Sequence, residues 1–529
     1  MKYIFITGGV VSSLGKGITA ASLGRLLHAR GYRVGLHKLD LYYNVEPGLL
    51  SPLEHGEAFI TDDGAAADLD IGHFERFVDV TLPGEASTTT GKIHKRIVER
   101  ELRGDYHGAT IQAIPHVANE IKNCIRETAL RENSEIQIVE IGGTVGDMEA
   151  SVYLEAIRQM RLECEKPNDC CYVHITLMPY IAAAGELKTK PTQKSVKELL
   201  SIGIQPDVIV CRTEVPMTTE GKDKIALFCN VKTSNVIQNL DADSLYELPL
   251  VLEKEGLARV VLGELGLENR APELEDWKAM VKHSRELTRV VRVALVGKYV
   301  SVPDAYLSEI EALRHAALAE DVKVVIDRVD SEKLTPETAD ELLGKHAAIL
   351  VPGGYGDRGT EGMIAAATYA RENRIPYLAI GYGMQLTVVE AVRSLLGRPE
   401  ANTAEADPHT ACAVARIPED RVCQNDSRSA TRMGAEEIAL SESRLQALYG
   451  SDRVRERHSN RYEIDEQFVP ALAEKGFRLV GKSVEGGYAE AFELEDHPYY
   501  VAVIYHPEYI SRPNRPHPLF QALLAAAKA

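Results

Sequence analysis

Gly8-Gly9-Val10-Val11-Ser12-Ser13-Leu14-Gly15-Lys16-Gly17-Ile18 is the stretch on which the fold of the N-terminal half turns. The apolar run Tyr3-Ile4-Phe5-Ile6-Thr7 before it reads as a buried strand. Thr19-Ala20-Ala21-Ser22-Leu23-Gly24-Arg25-Leu26-Leu27 after it reads as a helix. Strand, glycine loop, lysine and helix, in that order, build a phosphate cradle. Backbone N–H groups point inward, the helix N-terminus adds partial positive charge, and the lysine neutralises phosphate oxygens. The spacing departs from the common P-loop: five residues separate Gly9 from Gly15, and Gly17 stands where Ser or Thr usually binds magnesium. A tight strand-to-helix turn is the plainer alternative, and the order of the four parts favours phosphate.

Outward from this loop, Arg33 to Asp40 reads as a second strand, so a βαβ unit of a parallel sheet is complete early in the chain. The polar stretch from Tyr42 to Asp70 is long for a loop in a compact domain, and such loops are usually functional. Its acidic run, Asp62-Asp63-Gly64-Ala65-Ala66-Ala67-Asp68-Leu69-Asp70, follows a strand end, where ligands of doubly wound sheets collect. Ile136 to Ile141 is another strand. Its Glu140, before the turn Gly142-Gly143-Thr144-Val145-Gly146-Asp147, sits where a magnesium ligand of a phosphoryl-transfer site is expected; a strand-end acid facing water is the alternative. Tyr172 to Leu177 is a strand, and a helix is expected from Ser195 to Ile202. Between them, Lys188-Thr189-Lys190-Pro191-Thr192-Gln193 suits a second anionic ligand or is an exposed basic turn. Val208 to Arg212 is expected to close the sheet.

From Leu267 to Arg289 the composition turns charged and helical, which reads as an interdomain linker. A second α/β domain begins at Val291 to Lys298, with strands at Lys323 to Ile326, Ala348 to Val351 and Tyr377 to Ile380. The expected division is 1–267, a linker at 268–289, and 290–529. A formal charge of -18 argues against nucleic acid or an anionic membrane surface as main partner. The eight cysteines show no zinc spacing and read as reduced thiols. Met1-Lys2-Tyr3 runs into the first strand and no apolar run approaches a membrane span, so a cytoplasmic protein is expected.

From end to end the chain resembles the CTP synthases. The residues that carry the resemblance are the opening loop, Ser51-Pro52 with His55-Gly56-Glu57, Asp68-Leu69-Asp70, Glu140 to Asp147 and Gly185 to Gln193. In the second half they are Val351-Pro352-Gly353-Gly354, Gly383-Met384-Gln385 and His506-Pro507-Glu508. The resemblance implies a P-loop-type parallel-sheet amidoligase domain, like dethiobiotin synthetase, joined to a class I glutamine amidotransferase-like α/β domain. In that family ATP phosphorylates O4 of UTP, and ammonia released from glutamine and passed through a tunnel displaces the phosphate to give CTP. By resemblance, Ser13, Leu14, Gly15, Lys16, Gly17 and Ile18 hold ATP with Asp70, and Lys16 and Lys38 stabilise the transferring phosphoryl group. Asp70 and Glu140 bind Mg2+. Ser12, Lys188, Thr189, Lys190, Pro191, Thr192, Gln193 and Lys224 bind UTP, and Asp147, Met148 and Glu149 form the pocket for CTP. GTP is an expected effector, and a homotetramer, with filaments of it, the expected assembly.

The amidotransferase half departs from the family pattern. A class I glutaminase carries its cysteine in a turn like Gly-Ile-Cys-Leu-Gly-Met-Gln. Here the turn reads Ala379-Ile380-Gly381-Tyr382-Gly383-Met384-Gln385. Gly381 has no side chain with which to form a thioester. Neither Cys412 nor Cys423 matches a motif position, so His506 and Glu508 are left as base and orienting acid with nothing to activate. Gly353, Gly354, Glu405 and Arg461 match the glutamine pocket. Further departures are Ala66 and Ala67 for Glu and Thr, Leu41 for Pro, Ala58 for the valine that narrows the tunnel after the gating His55, His107 for Leu, Ser459 and Asn460 for Arg and His, and Leu240 for Lys. The reading is an ATP-dependent ligase that aminates UTP with free ammonia or another small amine. The alternatives are a silent nucleotide-binding partner of an active CTP synthase, and a ligase making an N4-substituted cytidine nucleotide.

Overall fold

Strand-forming runs rich in Val and Ile alternate with helices, and the computed structural model arranges them as two α/β units. It describes residues 1–11, 14–242, 244–421 and 431–528. Ser12, Ser13 and Cys423 therefore lie outside the described residues. One compact unit comprises Met1–Leu49 and Ala67–Val281; the other comprises Leu50–Ala66 and Lys282–Ala529.

The first unit is built on seven strands: β1 (Lys2–Gly8), β2 (Val34–Asp40), β3 (Ser87–Thr89), β4 (Ile136–Ile141), β5 (Cys170–Leu177), β6 (Val208–Thr213) and β7 (Val236–Leu240). Their order in the sheet is β7-β6-β5-β1-β4-β2-β3, and the pairings are parallel. β6 does not close the sheet as the sequence led us to expect, because β7 pairs on its far side from Ile209↔Val236 to Thr213↔Leu240. The inner strands are buried on both faces, which is why they read as continuous apolar runs. Helix α1 (Lys16–His28) follows the glycine loop, and α2 (Leu69–Val78) begins inside the polar stretch expected to be a loop. Asp68 caps α2 by accepting from Asp70 N, so the acidic run is partly a helix N-terminus. Helix α3 (Lys190–Ser201) begins earlier than the expected Ser195 start, with Pro191 in its first turn, where a missing N–H costs nothing.

The second unit has a nine-stranded mixed sheet. Its strands are β8 (Val290–Gly297), β9 (Lys323–Asp330), β10 (Ala348–Val351), β11 (Tyr377–Ile380), β12 (Arg432–Leu440), β13 (Arg453–Asn460), β14 (Phe477–Ser483), β15 (Ala489–Leu494) and β16 (Tyr500–Val503), in the order β9-β8-β10-β11-β16-β15-β14-β12-β13. Apolar side chains fill both faces of it, Val351, Ala379 and Met384 on one and Leu350, Ile380 and Val503 on the other. Helix α4 (Tyr382–Leu395) leaves directly from β11. The chain before it contributes a segment of its own: Leu50–Ala66 packs with this second unit. Glu57 N donates to Asp304 O (2.9 Å), Arg457 Nη1 to Ile60 O (2.9 Å), and Arg457 Nε to Asp62 Oδ1 (2.5 Å). Among the described residues no helix is long and apolar enough to cross a membrane.

Candidate active site

The carboxyl ends of β1, β2 and β4 bring together the groups that the sequence scatters. Lys38 on β2 and Glu140 on β4 are register partners, and Lys38 Nζ donates to Glu140 Oε1 at 2.9 Å. It also donates to Asp70 Oδ2 in the first turn of α2, and Asp68 Oδ1 lies 3.8 Å away. Burial alone would push the Lys38 ammonium down, but Asp70, Glu140, Asp68 and Asp40 together hold it well above the lysine range. Burial pushes Glu140 up to about 7 against the pull of Lys38. Burial also raises Asp40, with Asp68 adding to it. Asp40 Oδ2 and Glu140 Oε2 are buried without a hydrogen-bond partner.

Gly17 explains the unusual loop. A Cβ on it would stand 1.8 Å from Asp70 Oδ1, so the place where a common P-loop has Ser or Thr is filled by a carboxylate from α2. Lys16 Nζ donates to Gly143 O (2.5 Å), and Val145 N donates to Gly8 O (2.8 Å), so the turn after β4 is tied to the glycine loop. Gly15 is left-handed at φ 82 before α1. Leu14 is buried, while Gly15, Lys16 and Ile18 are half-buried.

The remaining anion-binding candidates are more open. Asp147, Met148 and Glu149 are exposed, and the Asp147 carboxylate accepts from Thr144 N (2.6 Å) and Thr144 Oγ1 (2.9 Å). Lys190 and Lys224 are exposed. Lys188 pairs with Glu186, and Gln193 Nε2 donates to Thr189 Oγ1 (3.1 Å). Pro191 is half-buried. Thr192 is fully buried and its hydroxyl is taken up by Leu177 O and Thr176.

In the second unit the turn from β11 to α4 is held at φ 58, ψ -118 on Gly381, a strained conformation for a residue with a side chain. Gly381 N donates to Val503 O at 2.8 Å. His506, three residues past β16, faces it: a Cβ on Gly381 would stand 3.0 Å from His506 Cε1 and 3.1 Å from Nε2. His506 Nδ1 and Glu508 Oε1 are 2.6 Å apart and both residues are buried. The His506–Glu508 pair is thus assembled beside Gly381, which presents no side chain to it.

The sequence carries the same pairing of domains. Residues 2–267 match the family described as CTP synthase N-terminus, and residues 301–526 match glutamine amidotransferase class-I. The CTP synthase of Symbiobacterium thermophilum is 51% identical over 99% of this chain and 98% of its own length. The chain belongs to the CTP synthase family. The CTP synthase of Bacillus thuringiensis (strain Al Hakam) is 49% identical over 99% of this chain and 98% of its own. Among solved structures, the glutaminase domain of Trypanosoma brucei CTPS with bound acivicin is 33% identical, covers 45% of this chain and 93% of that one, and has a TM-score of 0.43. CTP synthases are ligases that form C–N bonds, and membership is consistent with ATP-dependent amination of UTP to CTP.

Among the residues expected to line a glutamine pocket, Glu405 Oε1 accepts from Gly356 N (2.9 Å), and burial raises its carboxyl while Gly356 and Arg461 oppose this. Arg461 lies over the Tyr462 ring. A Cβ on Gly353 would stand 3.3 Å from His506 Cε1. Gly383 is required where α4 meets β10, since a Cβ there would lie 2.4 Å from Val351 O; Met384 and Gln385 are buried behind it. Tyr382, next to Gly381, is engaged elsewhere. Its hydroxyl donates to Gly356 O (3.0 Å) and its ring lies 4.8 Å from Lys298 Nζ. Lys298 escaped the reading of the sequence, where it is only the residue after a strand. Burial pushes it down to about 8, and it donates to Tyr355 O and Gly356 O. His55 is exposed at the end of a short helix, and Ala58 O accepts from Tyr509 OH (3.2 Å), whose ring stacks on His506.

Proposed function

We propose that this CTP synthase-family chain aminates UTP at C4 at the expense of ATP, and that the nitrogen comes from free ammonia or another small amine, not from glutamine. The observation that carries this reading is the contrast between two sites. Lys16, Lys38, Asp70 and Glu140 converge in the first unit, while Gly381 faces a complete His506–Glu508 pair without a nucleophile.

In this reading Ser13 to Ile18 hold the ATP phosphates, and Ser12, Lys188 to Gln193 and Lys224 hold UTP, with Asp147 to Glu149 at the CTP pocket. The γ-phosphoryl group passes to O4 of UTP as its bond to the β-phosphate oxygen breaks and ADP leaves, and N3 of the uracil gives up its proton so that C4=N3 replaces C4=O. The amine nitrogen then attacks C4, the C4–O bond breaks, phosphate departs with its electron pair, and the nitrogen loses a proton. Lys16 and Lys38 neutralise charge that develops on the phosphoryl oxygens. Lys38 does so as a fixed ammonium, because four carboxylates keep it charged. Asp70 and Glu140 would hold Mg2+. Two carboxylates completed by phosphate oxygens and water suffice for that ion, and the unpartnered Glu140 Oε2 fits it. When bound, Mg2+ offsets negative charge on the phosphates. A homotetramer and a response to GTP belong to the same reading.

Purified protein supplied with ATP, Mg2+, UTP and ammonium should form CTP, and the same mixture with glutamine in place of ammonium should not. CTP from glutamine but not from ammonium overturns the proposal. Mass spectrometry over a panel of amines separates CTP from an N4-substituted product. Absence of turnover with every amine, together with mixed oligomers with an active CTP synthase, identifies a silent partner instead.

A further inference from the structure

His174 lies in the interior of the first unit, on β5, between the strand that feeds the glycine loop and helix α3. Thr7 Oγ1 and His174 Nδ1 are 2.8 Å apart, and His174 Nε2 and Ser195 Oγ are 2.9 Å apart. Thr7, His174 and Ser195 are 1%, 0% and 5% exposed, so the line is shielded from bulk solvent. The line ends against the glycine loop itself. A Cβ on Gly9 would stand 1.6 Å from Ser195 Oγ and 3.2 Å from His174 Nε2. Gly9 N donates to Ile175 O, the residue after His174, at 3.0 Å. The loop, β5 and α3 thus meet at one imidazole with no free space.

A neutral imidazole has one N–H and one acceptor nitrogen. If Nδ1 donates to Thr7, Nε2 accepts from the Ser195 hydroxyl; if Nε2 donates, Nδ1 accepts from Thr7. One proton therefore sets both hydroxyls, and neither end reorients without the other. Burial, with a smaller push from Lys16, brings His174 down to about 3, so the ring remains neutral at ordinary pH.

We infer that His174 is a positioning residue for the ligation reaction, fixing the glycine loop to α3 so that the two nucleotides are held in one geometry. The inference rests on assigning the loop to ATP and residues 188–193 to UTP. His174 touches neither nucleotide; it acts through Thr7 and Ser195.

Thr7→Val and Ser195→Ala each remove one end of the line at nearly constant volume, and His174→Phe removes its centre. Each should raise KM for ATP and for UTP together by about tenfold or more, since small misplacements of reacting groups are costly. The Thr7→Val/Ser195→Ala double variant should be little worse than either single one, because the line is already broken. Calorimetric titration of UTP with and without a non-hydrolysable ATP analogue supplies the second readout: the analogue should tighten UTP in the unaltered chain and lose that effect in the variants. Variants that lower Tm yet keep both KM values and the coupling overturn the inference alone. An unaltered chain that binds neither nucleotide removes the site assignment and the inference with it.

Discussion

Gly381 and His506 stand so close that a Cβ on the glycine would lie 3.0 Å from the imidazole Cε1. That is tight for a real side chain, but the strained turn, the backbone donor pattern and the His506–Glu508 bond remain in place. Gly381→Cys should therefore create measurable glutamine hydrolysis once the imidazole yields by a few tenths of an ångström, and Gly381→Ala should not. Both should cost about 1–3 kcal/mol from the left-handed backbone. Ammonia release from glutamine is the assay, and a Cys variant as silent as the Ala variant refutes the claim that only the nucleophile is missing.

Gly17 makes room for Asp70 in the first unit. Gly17→Ser should displace the Asp70 carboxylate from Lys38, cost about 1–3 kcal/mol by overpacking, and abolish CTP formation. Restoring the Ser of a common P-loop is thus expected to harm this protein. Retained ligase activity in Gly17→Ser would show that the Asp70 position is not needed.

Lys38 donates hydrogen bonds to both Asp70 and Glu140. Lys38→Met leaves buried carboxylates uncompensated and should lower stability by about 3–5 kcal/mol, with loss of phosphoryl transfer. Mg2+ should raise the Tm of this variant more than that of the unaltered chain. An equal response in the two proteins would count against Asp70 and Glu140 as the metal-holding pair.

His37 and His174 are both fully buried and titrate near 3, against 6.5 for a free histidine, chiefly because burial disfavours the charged ring. Between those values the unfolded chain binds more protons than the folded one. The stability they contribute is complete above about pH 6.5 and falls as pH drops toward 3, by about 1.4 kcal/mol per pH unit for each ring. Denaturant titrations at several pH values should show this slope, and His37→Gln should reduce it by one proton. An unchanged slope would mean that His37 is charged in the folded chain.

Arg457, 1% exposed, holds the Leu50–Ala66 segment through Ile60 O and Asp62. Arg457→Met should loosen it, with about 1–3 kcal/mol lost. Limited proteolysis should then cut within residues 50–66 faster than in the unaltered chain, and identical cutting patterns would refute this role.

Much of the protein is legible in the sequence because it is written locally. The strands that end near Thr7, Ile141 and Ile380, the glycine loop and the absence of a side chain at 381 are set by consecutive residues and their periodicity. The family pattern added which of these belong to one reaction. Tertiary structure decided the rest. That Gly17 must be glycine depends on Asp70 arriving from another helix, and that Leu50–Ala66 joins the second unit depends on Asp304, Ser308, Arg457 and Tyr509 far along the chain. The Thr7–His174–Ser195 line joins two strands and a helix, and no spacing announces it. Such contacts come from how buried surfaces close upon one another, a property of the folded chain and not of any one stretch of it.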